Sequence, residues 1–213
     1  MNKRVLDIVE GKCLWHTECM DSLTFMDALP DACVDAVITD PPYLREHLWL
    51  YGAMAARLPR ILKSGGSLLS IVPHFALPQL LQDIGQHLKY RWIFSMWQAA
   101  GTHPRMAMGI EVMWKPVAWW VNGSWPKGRG FVRDGWENNP VEKGAHPWEQ
   151  SLSWAEHCLK VVPAGGLVLD PFMGSGTVGI ACLRTGRRFL GVERESQLYA
   201  NANRRIAEEG ETR

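Results

Sequence analysis

Asp40-Pro41-Pro42-Tyr43 follows an apolar run, Val34 to Thr39, and puts an acid, two prolines and a phenol ring at what reads as a strand end. Proline fixes its own φ, offers no N–H and pushes the preceding residue toward extended geometry, so Asp40 and Pro41 are both expected to be extended. The Asp40 carboxylate and the Pro41 carbonyl then stand as fixed acceptors. Such a pair suits a planar amine conjugated to a ring, whose lone pair is delocalised and poorly nucleophilic. Each acceptor takes one N–H and draws the nitrogen toward a tetrahedral, lone-pair-bearing shape. Tyr43 is expected to lie flat against the ring, its π face favouring the positive charge that develops on nitrogen. Taken alone, the tetrapeptide also fits a strand followed by a proline turn.

A second stretch narrows the chemistry. Leu167 to Asp170 is an apolar strand that runs through Pro171-Phe172-Met173-Gly174-Ser175-Gly176-Thr177 into a helix over Val178 to Arg184. Gly174 and Gly176 let a ligand approach the backbone where strand becomes helix, the usual cofactor position in α/β sheets. No lysine follows Gly176, which disfavours a triphosphate. The next strand, Arg188 to Val192, ends on Glu193, about 20 residues past the glycines, where an acid commonly accepts ribose hydroxyls. Glycine loop, spacing and terminal acid together predict a nucleoside-bearing cofactor.

The elements that must hold these two stretches alternate. A strand over Cys13 to His16 ends near Asp21, a helix is expected over Ser22 to Leu29, and Pro30-Asp31 turns the chain into the Asp40 strand. After Tyr43, apolar spacing predicts a helix over Arg45 to Leu62, kinked at Pro59 and ended by Lys63-Ser64-Gly65-Gly66. A strand over Ser67 to Val72, a helix over Ala76 to Leu88 and a strand over Tyr90 to Trp97 follow. This alternation predicts a parallel α/β sheet with crossover helices.

Residues 98–109 show no period and read as a loop; Ile110 to Val121 reads as a strand whose Trp114, Trp119 and Trp120 belong to the core. No acid occurs from Ile84 to Ile110, while Lys89, Arg91 and Arg105 are basic and His87 and His103 are titratable, so this is a candidate contact for phosphate. Residues 122–148 are irregular and carry Lys127, Arg129, Arg133 and Lys143 beside Trp125 and Trp136, a mixture suited to nucleic acid. Asp134, Glu137 and Glu142 nearly balance those charges.

Composition sets the outer bounds. The 213 residues, 46% hydrophobic, suit one domain over 1–213, and the formal charge of +1 excludes a polycationic coat protein without excluding DNA binding. Five scattered cysteines, none in a C-x-x-C pair, point to a reducing cytoplasm and no metal. No apolar signal core or run of about 18 apolar residues occurs, which predicts no membrane association.

With Asp40-Pro41-Pro42-Tyr43 early and Asp170-Pro171-Phe172-Met173-Gly174-Ser175-Gly176-Thr177 late, the chain resembles the amino methyltransferases of DNA, in the subgroup (β class) whose catalytic motif precedes the cofactor motif. Asp21, Leu29-Pro30-Asp31 and Gly191-Val192-Glu193 match further family segments, as does His146-Pro147-Trp148-Glu149-Gln150-Ser151, where Gln150 and Ser151 replace a common lysine and proline. The resemblance implies a Rossmann-like S-adenosylmethionine-dependent fold in permuted motif order, with target-recognition loops over about 98–145. It further implies S-adenosylmethionine bound by Asp170, Phe172, Gly174, Ser175, Gly176 and Thr177, with Glu193 on the ribose and Asp21 toward the adenine amino group. Gln150 and Ser151 would face its methionine part. Asp40, Pro41, Pro42 and Tyr43 would act on a base flipped out of duplex DNA. Aspartate in first place is more typical of adenine-N6 than of cytosine-N4 enzymes, although the acceptors fit either amine. A homodimer is expected, and a catalytically silent DNA-binding scaffold of the same fold is the alternative of another class.

Overall fold

The structure, a computed structural model, describes residues 3–98, 104–105, 109–128, 130–138 and 151–211. Its centre is an eight-stranded sheet. In chain order the strands are β1 (Trp15–Cys19), β2 (Val34–Thr39), β3 (Leu62–Ile71), β4 (Lys89–Gln98), the short β5 (Pro104–Arg105) and β6 (Ile110–Glu111), β7 (Trp114–Val121), β8 (Gly135–Asn138), β9 (Leu167–Asp170) and β10 (Arg188–Glu193). The helices are α1 (Lys3–Val9), α2 (Ser22–Ala28), α3 (Trp49–Ala55), α4 (Leu58–Ile61), α5 (Leu77–Gly85), α6 (Leu152–Leu159), α7 (Thr177–Arg184) and α8 (Ser196–Glu211).

The sheet order is β1-β10-β9-β2-β3-β7-β4-β8. Strand alternation sorts each strand's side chains onto two faces. Val34 and Val37 of β2 pack with α1 to α5, whereas Ala36 and Ile38 pack with α6, α7 and α8. The result is three layers, helices on both faces of the sheet.

The chain leaves β2 through α3 and α4 to reach β3 on one side, and leaves β9 through α7 to reach β10 on the other. Since β2 and β9 are neighbours, their two crossovers diverge and open a crevice at their carboxyl ends, the place where open α/β sheets bind ligands. Asp40 follows β2 there, and Asp170 ends β9.

The wholly parallel sheet expected from the sequence is corrected at one strand: β7 runs antiparallel to both β3 and β4. The expected helix over Arg45 to Leu62 also divides, into a 3-10 turn (Arg45–His47), α3 and α4. Pro59 falls in the first turn of α4, where its missing N–H costs nothing. Lys63 to Gly66 belong to β3 rather than ending a helix, because Asn122 pairs with them: the Gly65 N–H donates to the Asn122 carbonyl at 2.7 Å, and Gly66 accepts from the Asn122 N–H at 2.9 Å. Within 98–121, β5 and β6 form a two-stranded ribbon apart from β7, so the single strand expected from Ile110 is broken after Glu111. Trp119 and Trp120 are core, as expected, one on each face, whereas Trp114, expected there too, is only half-buried at the start of β7. Four residues of the irregular stretch, Gly135–Asn138, add β8 as an edge strand parallel to β4.

Candidate functional site at the carboxyl edge

Pro41 is buried, Asp40 and Pro42 are half-buried, and Tyr43 is 43% exposed, so the motif leads from the core to the surface in four residues. The Asp40 Oδ1 atom is shielded from solvent. Asp170 is 3% exposed, and its Oδ1 accepts from the Thr39 hydroxyl at 2.7 Å and from the Phe172 N–H at 3.1 Å. The Thr39 bond joins the ends of β2 and β9 side chain to side chain. Burial first, and the nearby Asp40 and Glu193 charges after it, push the Asp170 carboxyl up to about 7, against the lowering effect of the two hydrogen bonds.

The glycine loop closes on the next strand. The Glu193 Oε2 accepts from the Gly174 N–H at 3.1 Å and its Oε1 from the Glu195 N–H at 2.9 Å, which fixes the carboxylate beside the loop. Gly174, at φ +49°, has open space where a side chain would stand, room that a ligand could use. Gly176, at φ +82°, serves packing instead: a Cβ there would lie 3.0 Å from Ile206 Cδ1 of α8. The Ser175 carbonyl accepts from Arg205 at 2.6 Å and its hydroxyl lies 3.2 Å from that of Thr177, the first residue of α7. Phe172 is half-buried behind the loop.

Asp21 follows β1, one strand beyond β10, and caps α2: its Oδ1 accepts from the Thr24 N–H at 2.8 Å and the Thr24 hydroxyl at 2.9 Å. These bonds, the backbone one foremost, lower its pKa. The Met20 N–H donates to the Glu193 carbonyl at 3.1 Å, so Asp21 and Glu193 end neighbouring strands. Ser151 is buried as the N-cap of α6, its hydroxyl accepting from the Ser153 N–H at 3.1 Å. Gln150 lies outside the described residues.

The basic residues singled out in the sequence do not all gather at this edge. Lys89 pairs with Val121, so Lys89, Arg91 and the following Lys127 loop stand toward the amino ends of the parallel strands, away from Asp40. Arg91 packs over Trp119 and Trp125 at 5.6 and 5.7 Å from their ring centres. Together with the exposed Arg133, these residues line an open groove of about 1830 Å³ that reaches along β4 to Trp97 and Met113. Of Arg105 only the β5 backbone is described, and His103 and Arg129 lie outside the described residues.

A family model described as a DNA methylase (N6_N4_Mtase) matches residues 110–204, which include the glycine loop and Glu193. The type II methyltransferase M2.DpnII of Streptococcus pneumoniae is 34% identical over 87 residues, 38% of this chain and 32% of that protein. Over this segment the chain is similar to the N6/N4 DNA methylases. The match spans about a third of that curated relative's length. Solved structures of DNA methyltransferases share the fold, the following two among them. The M1.HpyAVI-SAM complex aligns with a TM-score of 0.73 and 22% identity over 90% of this chain and 98% of that one. The cytosine-N4-specific PvuII DNA methyltransferase aligns with a TM-score of 0.78 and 15% identity over 92% and 91%.

The carboxyl edge also carries residues to which the sequence gives no role there, and it takes Trp114, expected in the core, to a half-buried position instead. Trp49 is 61% exposed, and Arg45 lies over the ring of Phe75, 5.0 Å from its centre. His74 meets Trp114 edge-on at 4.8 Å. These side chains come from the segments that follow β2 and β3, up to the first residue of α3, and from the start of β7, and with Tyr43 and Trp97 they put aromatic rings on the carboxyl side of the sheet. Their spacing carries no period; only the sheet order brings them together. Thr39 had a signal, a hydroxyl at the last position of a buried strand beside an acid.

Proposed function

We propose that the protein transfers a methyl group from S-adenosylmethionine to the N6 amino group of adenine in duplex DNA. The observation that carries this reading is the junction of the two motifs: Asp40 and Asp170 end neighbouring strands at the switch point, tied by the Thr39–Asp170 bond of 2.7 Å. A catalytic acceptor and a cofactor loop set on adjacent strand ends are what a direct displacement needs, since such a reaction gains most from positioning.

The residues present fit the cofactor. Gly174 leaves space beside Glu193, whose carboxylate has lone pairs left for ribose hydroxyls, and the Oδ2 of Asp21, engaged through Oδ1, is oriented by the α2 cap to accept an adenine amino group. Asp40 and Glu193 place negative charge beside the loop, a lesser cause of the Asp170 shift after burial, and negative charge favours a cationic ligand. When bound, S-adenosylmethionine supplies an electrophilic methyl group on a positively charged sulfur. Phe172, Ser175, Gly176 and Thr177 shape the loop around it, and Gln150 and Ser151 are proposed to face its methionine part.

Asp40 and the Pro41 carbonyl accept the two N–H groups of the flipped base and localise its lone pair, and Tyr43, exposed at the mouth, stacks on the ring. The positive charge that develops on nitrogen is met by the Asp40 carboxylate, through which the surplus proton passes to solvent after the methyl group has arrived. The aspartate in first place supports adenine. Cytosine-N4 is the second reading, supported by the fold shared with a cytosine-N4-specific enzyme. Methyl transfer from labelled S-adenosylmethionine to unmethylated genomic DNA, digested to nucleosides and resolved by mass, tests both. N6-methyladenine is the expected product; N4-methylcytosine would overturn the base assignment, and no incorporation would overturn the activity.

A further inference from the structure

The β2–β3 ladder ends at Thr39↔Ser70. Val72 turns its N–H toward β7, donating to the Pro116 carbonyl at 3.1 Å, so by strand alternation the Ile71 carbonyl faces β2. One rung further, the parallel register gives that carbonyl to the N–H of residue 41. Residue 41 is proline and has none. Neither it nor Pro42 can anchor the motif by a main-chain donor, yet the Pro41 carbonyl must point at a substrate amine. The Tyr51 hydroxyl of α3 fills the gap: it lies 3.1 Å from the Ile71 carbonyl and 3.4 Å from the Pro41 carbonyl, and its residue is 0% exposed.

We infer that Tyr51 is a positioning residue, whose hydroxyl replaces the missing N–H of residue 41 and fixes the Pro41 carbonyl as an acceptor for the substrate amine. The inference rests on the methyl-transfer reading for its functional half. Its hydroxyl proton is shared between two carbonyls, an arrangement that ties the exits of β2 and β3 together. A carbonyl has two lone pairs, so the Pro41 oxygen keeps one for an N–H of the base. Burial pushes the phenol well above its ordinary range, so it remains a donor at every pH at which the protein is handled.

Pro41-Pro42 is the sole Pro-Pro step in the sequence. Protein grown on proline labelled with carbonyl ¹³C and with ¹⁵N therefore yields a single ¹³C–¹⁵N correlation, from the Pro41 carbonyl and the Pro42 nitrogen. Neither residue has an exchangeable N–H. A shift of this signal between H₂O and D₂O accordingly reports the Tyr51 hydroxyl, and it is expected in the parent protein and absent in Tyr51→Phe, whose signal also moves upfield. An unchanged parent signal in D₂O overturns the inference without any variant having to fold.

In Tyr51→Phe, single-turnover methylation is expected to slow about tenfold, with KM for DNA and for S-adenosylmethionine kept within about twofold. A variant as fast as the parent overturns the positioning role, as does one that loses cofactor affinity and rate together. A parent that gives the D₂O shift but methylates no DNA overturns the functional reading and leaves the hydrogen bond standing.

Discussion

From β2 outward through β9, β10 and β1 the strands run parallel, each ends in or leads into a residue with a polar task, and the main chain itself forms the loop. From β3 outward through β7, β4 and β8 the pairing turns antiparallel and back, and the ends carry Trp97, Trp114, Met113 and Phe75. The first half holds atoms at fixed distances, as in the Glu193–Gly174 and Thr39–Asp170 bonds. The second half presents surface: aromatic faces, an open groove and scattered cations. A reaction centre needs the former, whereas recognition of a long polymer needs area that can differ from one relative to another.

Asp40→Ala tests the first half most sharply. Methyl transfer is expected to fall by at least about 100-fold while S-adenosylmethionine still binds, measured by turnover beside equilibrium binding. Retained turnover would sink the assignment of Asp40 as acceptor. Next comes Asp170, whose carboxyl sits at about 7 when folded and at the ordinary carboxylate value of 3.8 when unfolded. Between those values the folded state holds the extra proton, so this group's contribution to stability is fully present below the unfolded value. It is then lost as pH rises, at up to about 1.4 kcal/mol per pH unit. Denaturant melts from pH 4 to 7 are expected to show that slope in the parent and to lose it in Asp170→Asn.

Gly176→Ala combines a φ of +82° with a Cβ 3.0 Å from Ile206. It is expected to cost about 1–3 kcal/mol in thermal or denaturant unfolding. The smallest effects belong to the second half. Arg45→Ala, at the mouth, should weaken DNA binding and reduce the log-log salt slope by about one, whereas Lys127→Ala, toward the far end of β4, should change it less. The reverse ranking, in salt titrations of binding to one duplex, would move the DNA path along the groove.

The parallel half was largely legible in the sequence, because its chemistry lies within short contiguous stretches. Asp40 to Tyr43 and Asp170 to Thr177 each sit on one strand end, so reading them needs no knowledge of partners. The β2–β9 adjacency itself was not legible: the two strands are more than a hundred positions apart, and the 2.7 Å Thr39–Asp170 bond exists through sheet order alone. Tyr51 falls within the helix expected over Arg45 to Leu62, where periodicity registers its ring and says nothing of the two carbonyls its hydroxyl meets. The reversal at β7 is hidden in the sequence for a related reason. A strand buried on both faces reads as apolar in either direction, and what reverses it here is Asn122 closing against Gly65 and Gly66.

The crowding of Asp40, Asp170 and Glu193 has a consequence for turnover. On the proposed reading a methyl donor arrives with a cationic sulfur and departs as a neutral thioether, so the acids that attract the fresh donor relax their hold on the spent one. On that reading the edge would discriminate between reagent and by-product by charge. Product inhibition is expected to deepen as added salt or acid quiets that local field, leaving release to shape and stacking.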